Sequence, residues 1–410
     1  MEQQQATPPT LKRAFNLPLL TFYGLGTIVG AGIYVLIGEV AGIAGMAAPF
    51  AFLLASILAA FSALSYAELA ARFPFSAGEA IYVQQAFGRR ELSRLIGLLI
   101  VAIGVVSSAT LVRGFVGYFQ VFVPLDEWII ICLLVLLLGA LAAKGISESA
   151  WIAAVTTVIE VVGLLLILTV AGEHFSDLPA RLPEMLPGTN GVTVMGIVAG
   201  AFVAFYAFVG FEDIVNVAEE VKQPTRTLPR AIILSLVIST SLYMLISTLA
   251  VLTVSPGELA ASTAPLALVY EQATGREPLF ITTIGLAAVI NGALIQIIMA
   301  SRVLYGMARQ GWIPAFWGEV NSITRTPLIT TLLMSLVILL GALWLPLLTL
   351  AEITSLITLF VFAMVNLSLW RVKGREPVVV DAPNFPRWMP LCGFLLSTLF
   401  ILFQLWHWMS

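Results

Sequence analysis

The chain has 410 residues, 60% of them hydrophobic and only 10% charged, with a formal net charge of −3 and a mean hydropathy of +1.00. No water-soluble domain of that length can hide so much apolar surface, which leaves a protein that crosses a bilayer many times. Cys132 and Cys392 lie apart inside apolar stretches and His174 and His407 are isolated, so neither a disulfide framework nor a metal cluster is expected.

Residues 1–16 read as a cytoplasmic tail, polar over 1–10. Eleven apolar segments follow, over roughly 17–38, 44–67, 92–123, 127–143, 150–171, 192–218, 230–254, 278–301, 327–349, 352–370 and 388–408, each near the length that spans a bilayer. Hydrocarbon offers no partner to an open backbone, so these segments are expected to be helical. The first is too long and too rich in glycine for a cleavable signal peptide, and the second follows at once. With the N-terminus inside, every Lys and Arg except Arg113, Arg181 and Arg276 falls on the cytoplasmic side. That asymmetry predicts an N-in, C-out topology and accounts for the basic loops without nucleic acid.

The first segment is interrupted at Gly30-Ala31-Gly32. If it unwinds there, the outer half-helix begins with free N–H groups and the positive end of its dipole, a setting for a carboxylate. The alternative is close helix packing, for which Gly26 and Gly30 have the right spacing. In the fifth segment Glu160 lies mid-span, where an ionisable group is expensive and no helix end explains it. It reads either as a structural partner across the bundle or as a protonatable coupling residue. Segment 172–191 reads as an outer loop.

The sixth segment repeats the interruption, in Phe205-Tyr206-Ala207-Phe208-Val209-Gly210-Phe211-Glu212-Asp213. Unwinding near Val209-Gly210 would expose carbonyls suited to an ammonium group, so the two breaks together describe a clamp for a zwitterion. Tyr206 and Phe208 are candidate lids. Glu212 and Asp213 are expected to cap the inner half-helix, to couple protons, or to balance a basic substrate. Further on, Ser255-Pro256-Gly257-Glu258 opens a predicted short surface helix running through Leu259–Thr274 over the outer mouth. The eighth segment carries Asn291 and Gln296 but no Ser or Thr between 284 and 300.

Interrupted helices at the first and sixth positions divide the chain into 17–171 and 192–370, each of five spans, with an inner loop and an eleventh span over 371–410. An odd number of spans per unit makes the repeat inverted, and glycine-broken helices at matching places point to a site at the midplane.

These residues carry a likeness. Gly30-Ala31-Gly32-Ile33 is followed by Phe73-Pro74, Ala77-Gly78 and Ala86-Phe87-Gly88, then by Gly145 and Glu148-Ser149-Ala150. Gly210-Phe211-Glu212, Ala218-Glu219-Glu220-Val221-Lys222, Pro224, Pro229, Ser301-Arg302, Tyr305, Met307-Ala308-Arg309 and Gly311 complete the series. In that order and spacing the chain resembles the amino acid–polyamine–organocation (APC) transporter superfamily, and most of all bacterial relatives of the cationic amino acid transporters.

The resemblance implies an all-α integral membrane fold of the leucine-transporter type. That is a 5+5 inverted repeat, here with eleven transmembrane helices of which the first and sixth are broken. It also implies a secondary active amino acid permease or symporter working by alternating access. On the family pattern Gly30, Ala31 and Gly32 would hold a carboxylate, and the backbone carbonyls of Tyr206, Ala207 and Val209 an amine. Tyr206 matches a gating aromatic, and Glu212 an acid used in proton or amine sensing. Many relatives carry a lysine where this chain has Glu160, twelve residues after Glu148, and Glu79 stands where relatives often have Gly or Ser.

The expected protein is an amino acid transporter of the bacterial inner membrane, with a proton rather than sodium as coupling ion and no cofactor. Its expected partners are a small-molecule amino acid and the lipid bilayer. An amine or polyamine exchanger is the alternative. A membrane enzyme would need a paired nucleophile and base or a metal cluster, and a channel a filter-like loop or ring of charges.

Overall fold

The computed structural model describes residues 13–30, 32–75, 78–144, 150–188, 193–321, 326–376 and 382–409. Among them every regular element is helical, and the one pairing of extended backbone is a parallel bridge between Phe15 and Val221.

The first apolar segment is two helices, α1 (Leu17–Val29) and α2 (Gly32–Ala44). Asn16 caps α1 by accepting the Leu19 N–H at 3.0 Å, and Pro18 sits in the first turn, where its missing N–H does no harm. After α2 the chain turns at Gly45, whose positive φ of 60° suits glycine, into α3 (Ala48–Arg72). A short helix, α4 (Gly78–Phe87), precedes the long α5 (Arg90–Gln120), and α6 (Glu127–Ala143) and α7 (Ala150–Val170) follow. Segment 172–191 is not plain loop: a 3₁₀ stretch, Gly172–Asp177, and α8 (Leu178–Met185) bend away from α7 by 58°.

Thr193 opens α9 (Val194–Phe205) by accepting the Gly196 N–H at 2.9 Å. The helix then tightens to a 3₁₀ turn over Tyr206–Phe208, breaks at Val209 and Gly210, and resumes as a 3₁₀ helix over Phe211–Glu220. Next comes α10 (Pro224–Thr253). The single helix expected beyond Ser255 is two, α11 (Pro256–Ala261) and α12 (Pro265–Thr274). Ser255 and Glu258 form a reciprocal capping box on α11, and Pro265, with no N–H to donate, starts a new helix rather than extending the old one. The chain ends with α13 (Leu279–Arg309), α14 (Leu328–Trp344), α15 (Leu347–Arg375) and α16 (Trp388–Met409).

Among the described residues seven helical runs are long and apolar enough to cross a membrane, or eight if the bent α7–α8 pair counts as one. The run Leu17–Arg72 has 56 residues; at 1.5 Å per residue it would extend about 84 Å if straight, far beyond a hydrocarbon core of about 30 Å. It therefore holds more than one crossing. Two shorter apolar helices, α6 and α14, have 17 residues each. The outward faces of α6 (Leu133, Leu136, Leu137), α14 (Leu332, Leu336) and α16 (Leu395, Leu399, Leu402) are exposed leucine stripes at helical spacing. Water would penalise such faces and lipid does not.

Inside, α1 packs on α10 and α7, while α9 packs on α3 and α15. The long α5 packs on α13 and α15, α13 packs on α7, and α6 on α14. A buried ion cluster closes one end. The Glu68 carboxylate accepts from Arg72 and Lys373, each at 2.6 Å, and from the Phe385 N–H at 3.0 Å, joining α3, α15 and the segment before α16. Both cations are nearly as buried as the acid. Glu68→Ala should therefore lower stability by about 3–5 kcal/mol, because two buried cations lose their counter-ion. An unaltered melting temperature in detergent would show that the cluster does not hold these helices.

Candidate functional site

The two breaks lie against each other. Gly210 has φ +128°, and a Cβ there would stand 2.3 Å from the Thr27 carbonyl oxygen of α1. A Cβ on Gly32 would stand 2.8 Å from Ala207 Cα. Only glycine meets both demands at 210, and the close approach alone demands it at 32. Gly24 and Gly26, by contrast, serve packing, the first against Ile214 and Ser235 and the second against Thr157 of α7.

Breaking a helix frees backbone groups that need new partners. Tyr243 of α10 supplies one for both breaks: its hydroxyl lies 2.7 Å from the Ile28 carbonyl and 2.9 Å from the Ala207 carbonyl. The Gly210 N–H donates to the Glu212 carboxylate at 2.8 Å, so Glu212 does cap the helix it opens. Of the carbonyls expected to face an amine, that of Ala207 is thus engaged by Tyr243, and that of Tyr206 accepts the Val209 N–H at 3.1 Å. The Gly30 N–H still donates into α1, to Gly26 at 3.2 Å, which leaves the first turn of α2, from Gly32 on, as the source of open donors.

Between the breaks is a small chamber. The broken helices contribute Thr27, Ile28, Gly30, Gly32, Tyr206 and Val209; α5 contributes Ser107 and Leu111, and α13 contributes Gly292, Ile295 and Gln296. The Tyr206 hydroxyl is held by Ser107, 3.0 Å from its Oγ and 3.1 Å from its carbonyl oxygen. Phe208 is not in this lining; it is buried with its ring 5.1 Å from that of Tyr243. Ala207 meets Gly32 behind the chamber wall. Ala31, Ala77, Gly145, Glu148 and Ser149 lie outside the described residues.

The acids flank the chamber. Glu160, buried on α7, accepts from the Asn291 amide of α13 at 3.3 Å, and its backbone carbonyl accepts the Tyr34 hydroxyl at 2.9 Å. Asp213 accepts from Gln296 of α13, also at 3.3 Å. One helix thus sends an amide to both Glu160 and Asp213. Gln296 is also shared with a second small cavity, lined by Tyr66 of α3, Glu79 of α4, Glu212, Asp213 and Phe362 of α15. Glu79 accepts the Tyr66 hydroxyl at 3.1 Å through Oε1, while its buried Oε2 has no hydrogen-bond partner. Burial pushes the Glu79 carboxyl up to about 7, although its own backbone N–H and Tyr66 pull it down. Among the described residues no group of three or more His, Cys, Asp or Glu could hold a metal ion.

Sequence reasoning missed Tyr243, Ser107 and Tyr66. Tyrosine within an apolar span is itself a signal, since a buried phenol seeks a polar partner, but nothing local tells which partner it finds. Tyr243→Phe should destabilise the fold by about 1–3 kcal/mol, because the carbonyls at both breaks lose their shared donor. A melting temperature equal to that of the unmodified protein would refute that role.

A family model described as "Amino acid permease" matches residues 15–408, and the chain belongs to that family, within the APC transporter superfamily. It is 30% identical over 388 residues to a protein of Arabidopsis thaliana named "Cationic amino acid transporter 3, mitochondrial", covering 90% of this chain and 63% of that one. It is 27% identical over 423 residues to "Branched-chain amino acid permease BcaP" of Bacillus subtilis, covering 96% and 88%. A further Arabidopsis relative, "Cationic amino acid transporter 4, vacuolar", is 30% identical over 90% of this chain and 65% of its own. The chain spans a little under two thirds of the length of these plant relatives. Such relatives are named as transporters and permeases, not enzymes, and with its apolar helices the chain is a multi-pass membrane protein.

Proposed function

We propose that this member of the amino acid permease family is a secondary active amino acid transporter of a bacterial inner membrane, coupled to protons and working by alternating access. One observation carries the reading: the two breaks meet at a chamber whose lining takes residues from both broken helices. The first turn of α2 presents donors to a carboxylate, and Tyr206, Val209, Thr27 and Ser107 surround the space beside it. The names of the relatives agree with an amino acid as substrate.

The architecture of the proposal is eleven spans in a 5+5 inverted repeat, N-terminus inside. The packing supports it. Let α1–α2, α3, α5, α6 and α7 correspond to the sixth span (α9 with residues 206–220), α10, α13, α14 and α15. Exchanging the two sets then carries α1 on α10 into α9 on α3, α1 on α7 into α9 on α15, and α7 on α13 into α15 on α5. The pairs α3–α10, α5–α13 and α6–α14 are their own images. Even the connecting helices correspond, α4 after α3 and α11–α12 after α10. A two-fold axis in the membrane plane produces this exchange.

Proton coupling falls to the acids beside the breaks, Glu160 and the pair Glu212 and Asp213. Asn291 and Gln296, the amides that a sodium site would recruit from α13, are both engaged by these acids. A transporter of amines or polyamines is the second reading, favoured by the acid-lined cavity next to the chamber.

A thermal-shift screen of the purified protein against the twenty amino acids and common polyamines tests the substrate class, since a specific ligand raises apparent stability. Amino acids are expected to stabilise; stabilisation by putrescine alone would select the second reading. Gly30→Val, which adds a branched side chain at a lining position whose Cβ would stand 3.1 Å from the Gly26 carbonyl oxygen, should abolish the shift while leaving membrane insertion normal. Undiminished binding by that variant would place the site elsewhere. Glu160→Gln should flatten the pH dependence of uptake in proteoliposomes, and an unaltered profile would remove Glu160 from the coupling role.

A further inference from the structure

Below Gln296 the second cavity gathers three carboxyls from two elements: Glu79 from α4, and Glu212 and Asp213 from the 3₁₀ helix after the break. Glu79 is 2% exposed, Glu212 8% and Asp213 7%. Two of them have duties already on view, Glu212 on the Gly210 N–H and Asp213 on the Gln296 amide. Glu79 is different. Tyr66 serves one oxygen, and the other is buried and has no hydrogen-bond partner.

Buried charge needs compensation. Elsewhere in this fold it is supplied by cations, as at Glu68. Here none lines the cavity. Four cations on the elements around α4 have other partners. Arg371 of α15 lies over the Phe87 ring and donates to the Ala86 carbonyl; Arg72 and Lys373 hold Glu68; Arg94 of α5 pairs with Glu91. The other titratable groups facing Glu79 are the phenols Tyr66 and Tyr82, which bring no positive charge at neutral pH. The described residues offer no metal-binding group either.

We propose that Glu79, Glu212 and Asp213 form a proton-binding site beneath the substrate chamber, in which the unpartnered oxygen of Glu79 takes up and releases the proton. Nothing but a proton is exchanged: the carboxylate becomes a carboxyl, and the reverse. Gln296 is the partition, since it lines both cavities and donates to Asp213. The use of this site in transport rests on the function proposed above; its capacity to bind a proton does not. The burial that raises the Glu79 carboxyl to about 7 agrees with it. The folded protein then binds a proton more tightly than the unfolded chain, so stability is greatest below the ordinary glutamate range and declines as pH rises through 7.

The test is a potentiometric titration of the full chain in detergent, without substrate, comparing the unmodified protein with Glu79→Gln. Between about pH 8 and about pH 6 the unmodified protein should take up about one proton more than the variant, and Glu79→Asp should restore it. The melting temperature of the unmodified protein should fall over the same rise in pH, and that of Glu79→Gln should fall less. Equal proton uptake by the two proteins would overturn the proposal. Should Glu79→Gln fail to fold, Tyr66→Phe decides: losing the hydroxyl that favours the ionised form should move the titration midpoint upward, and an unmoved midpoint overturns the site. Leucine uptake driven by an inward proton gradient, measured in parallel, reports on the transport function alone. A protein that shows the extra proton but no gradient-driven uptake of any stabilising amino acid would keep the site and refute the function.

Discussion

Backbone polar groups freed by a broken helix cannot be left bare in hydrocarbon, and the centre of this protein is arranged around that constraint. A single phenol, Tyr243, lies within reach of carbonyls from both breaks. Because a hydroxyl has only one proton to give, the two carbonyls share it, and the breaks are tied to α10 and to each other. Gly210 then lets the second break approach the first to within contact of Thr27, where no side chain fits. The chamber is the space left when two interrupted helices are held together at their weakest points.

The same constraint sorts the acids. Glu212 completes the backbone by capping it, so its carboxylate is structural before it is anything else. Glu160 and Asp213 receive amides from one helix, α13, at Asn291 and Gln296. Movement of α13 would therefore reach both acids at once, and Gln296 would transmit it between the chamber and the cavity below. Glu68, by contrast, shows what a purely structural buried acid looks like here: two cations and a backbone N–H converge on it. Glu79 has no such company.

The short connecting helices meet the broken helices in different ways. Glu79 of α4 lines one cavity with Glu212 and Asp213 of the 3₁₀ helix after the second break. The Leu259 backbone of α11 lies against Gly38 of α2, where an added Cβ would stand 2.5 Å from the carbonyl oxygen. One connector carries an acid to a broken helix and the other a bare peptide.

Much of this was legible in the residues themselves. Apolar length is a local property, so it announced a multi-pass helical protein without any contact being known. Glycines at 30, 32 and 210 marked both breaks, because a position that must accept a close neighbour or a positive φ advertises itself by residue type. What the chain alone left undecided were the partners across the bundle. That Tyr243 would serve Ile28 and Ala207, that Asn291 would meet Glu160, that Phe208 would turn to Tyr243 rather than line the chamber, and that Glu79 would join Glu212 and Asp213 all depend on helices far apart in sequence being brought side by side. Side-chain pairing over such separations is set by packing of the whole bundle, and no pattern within one segment encodes it.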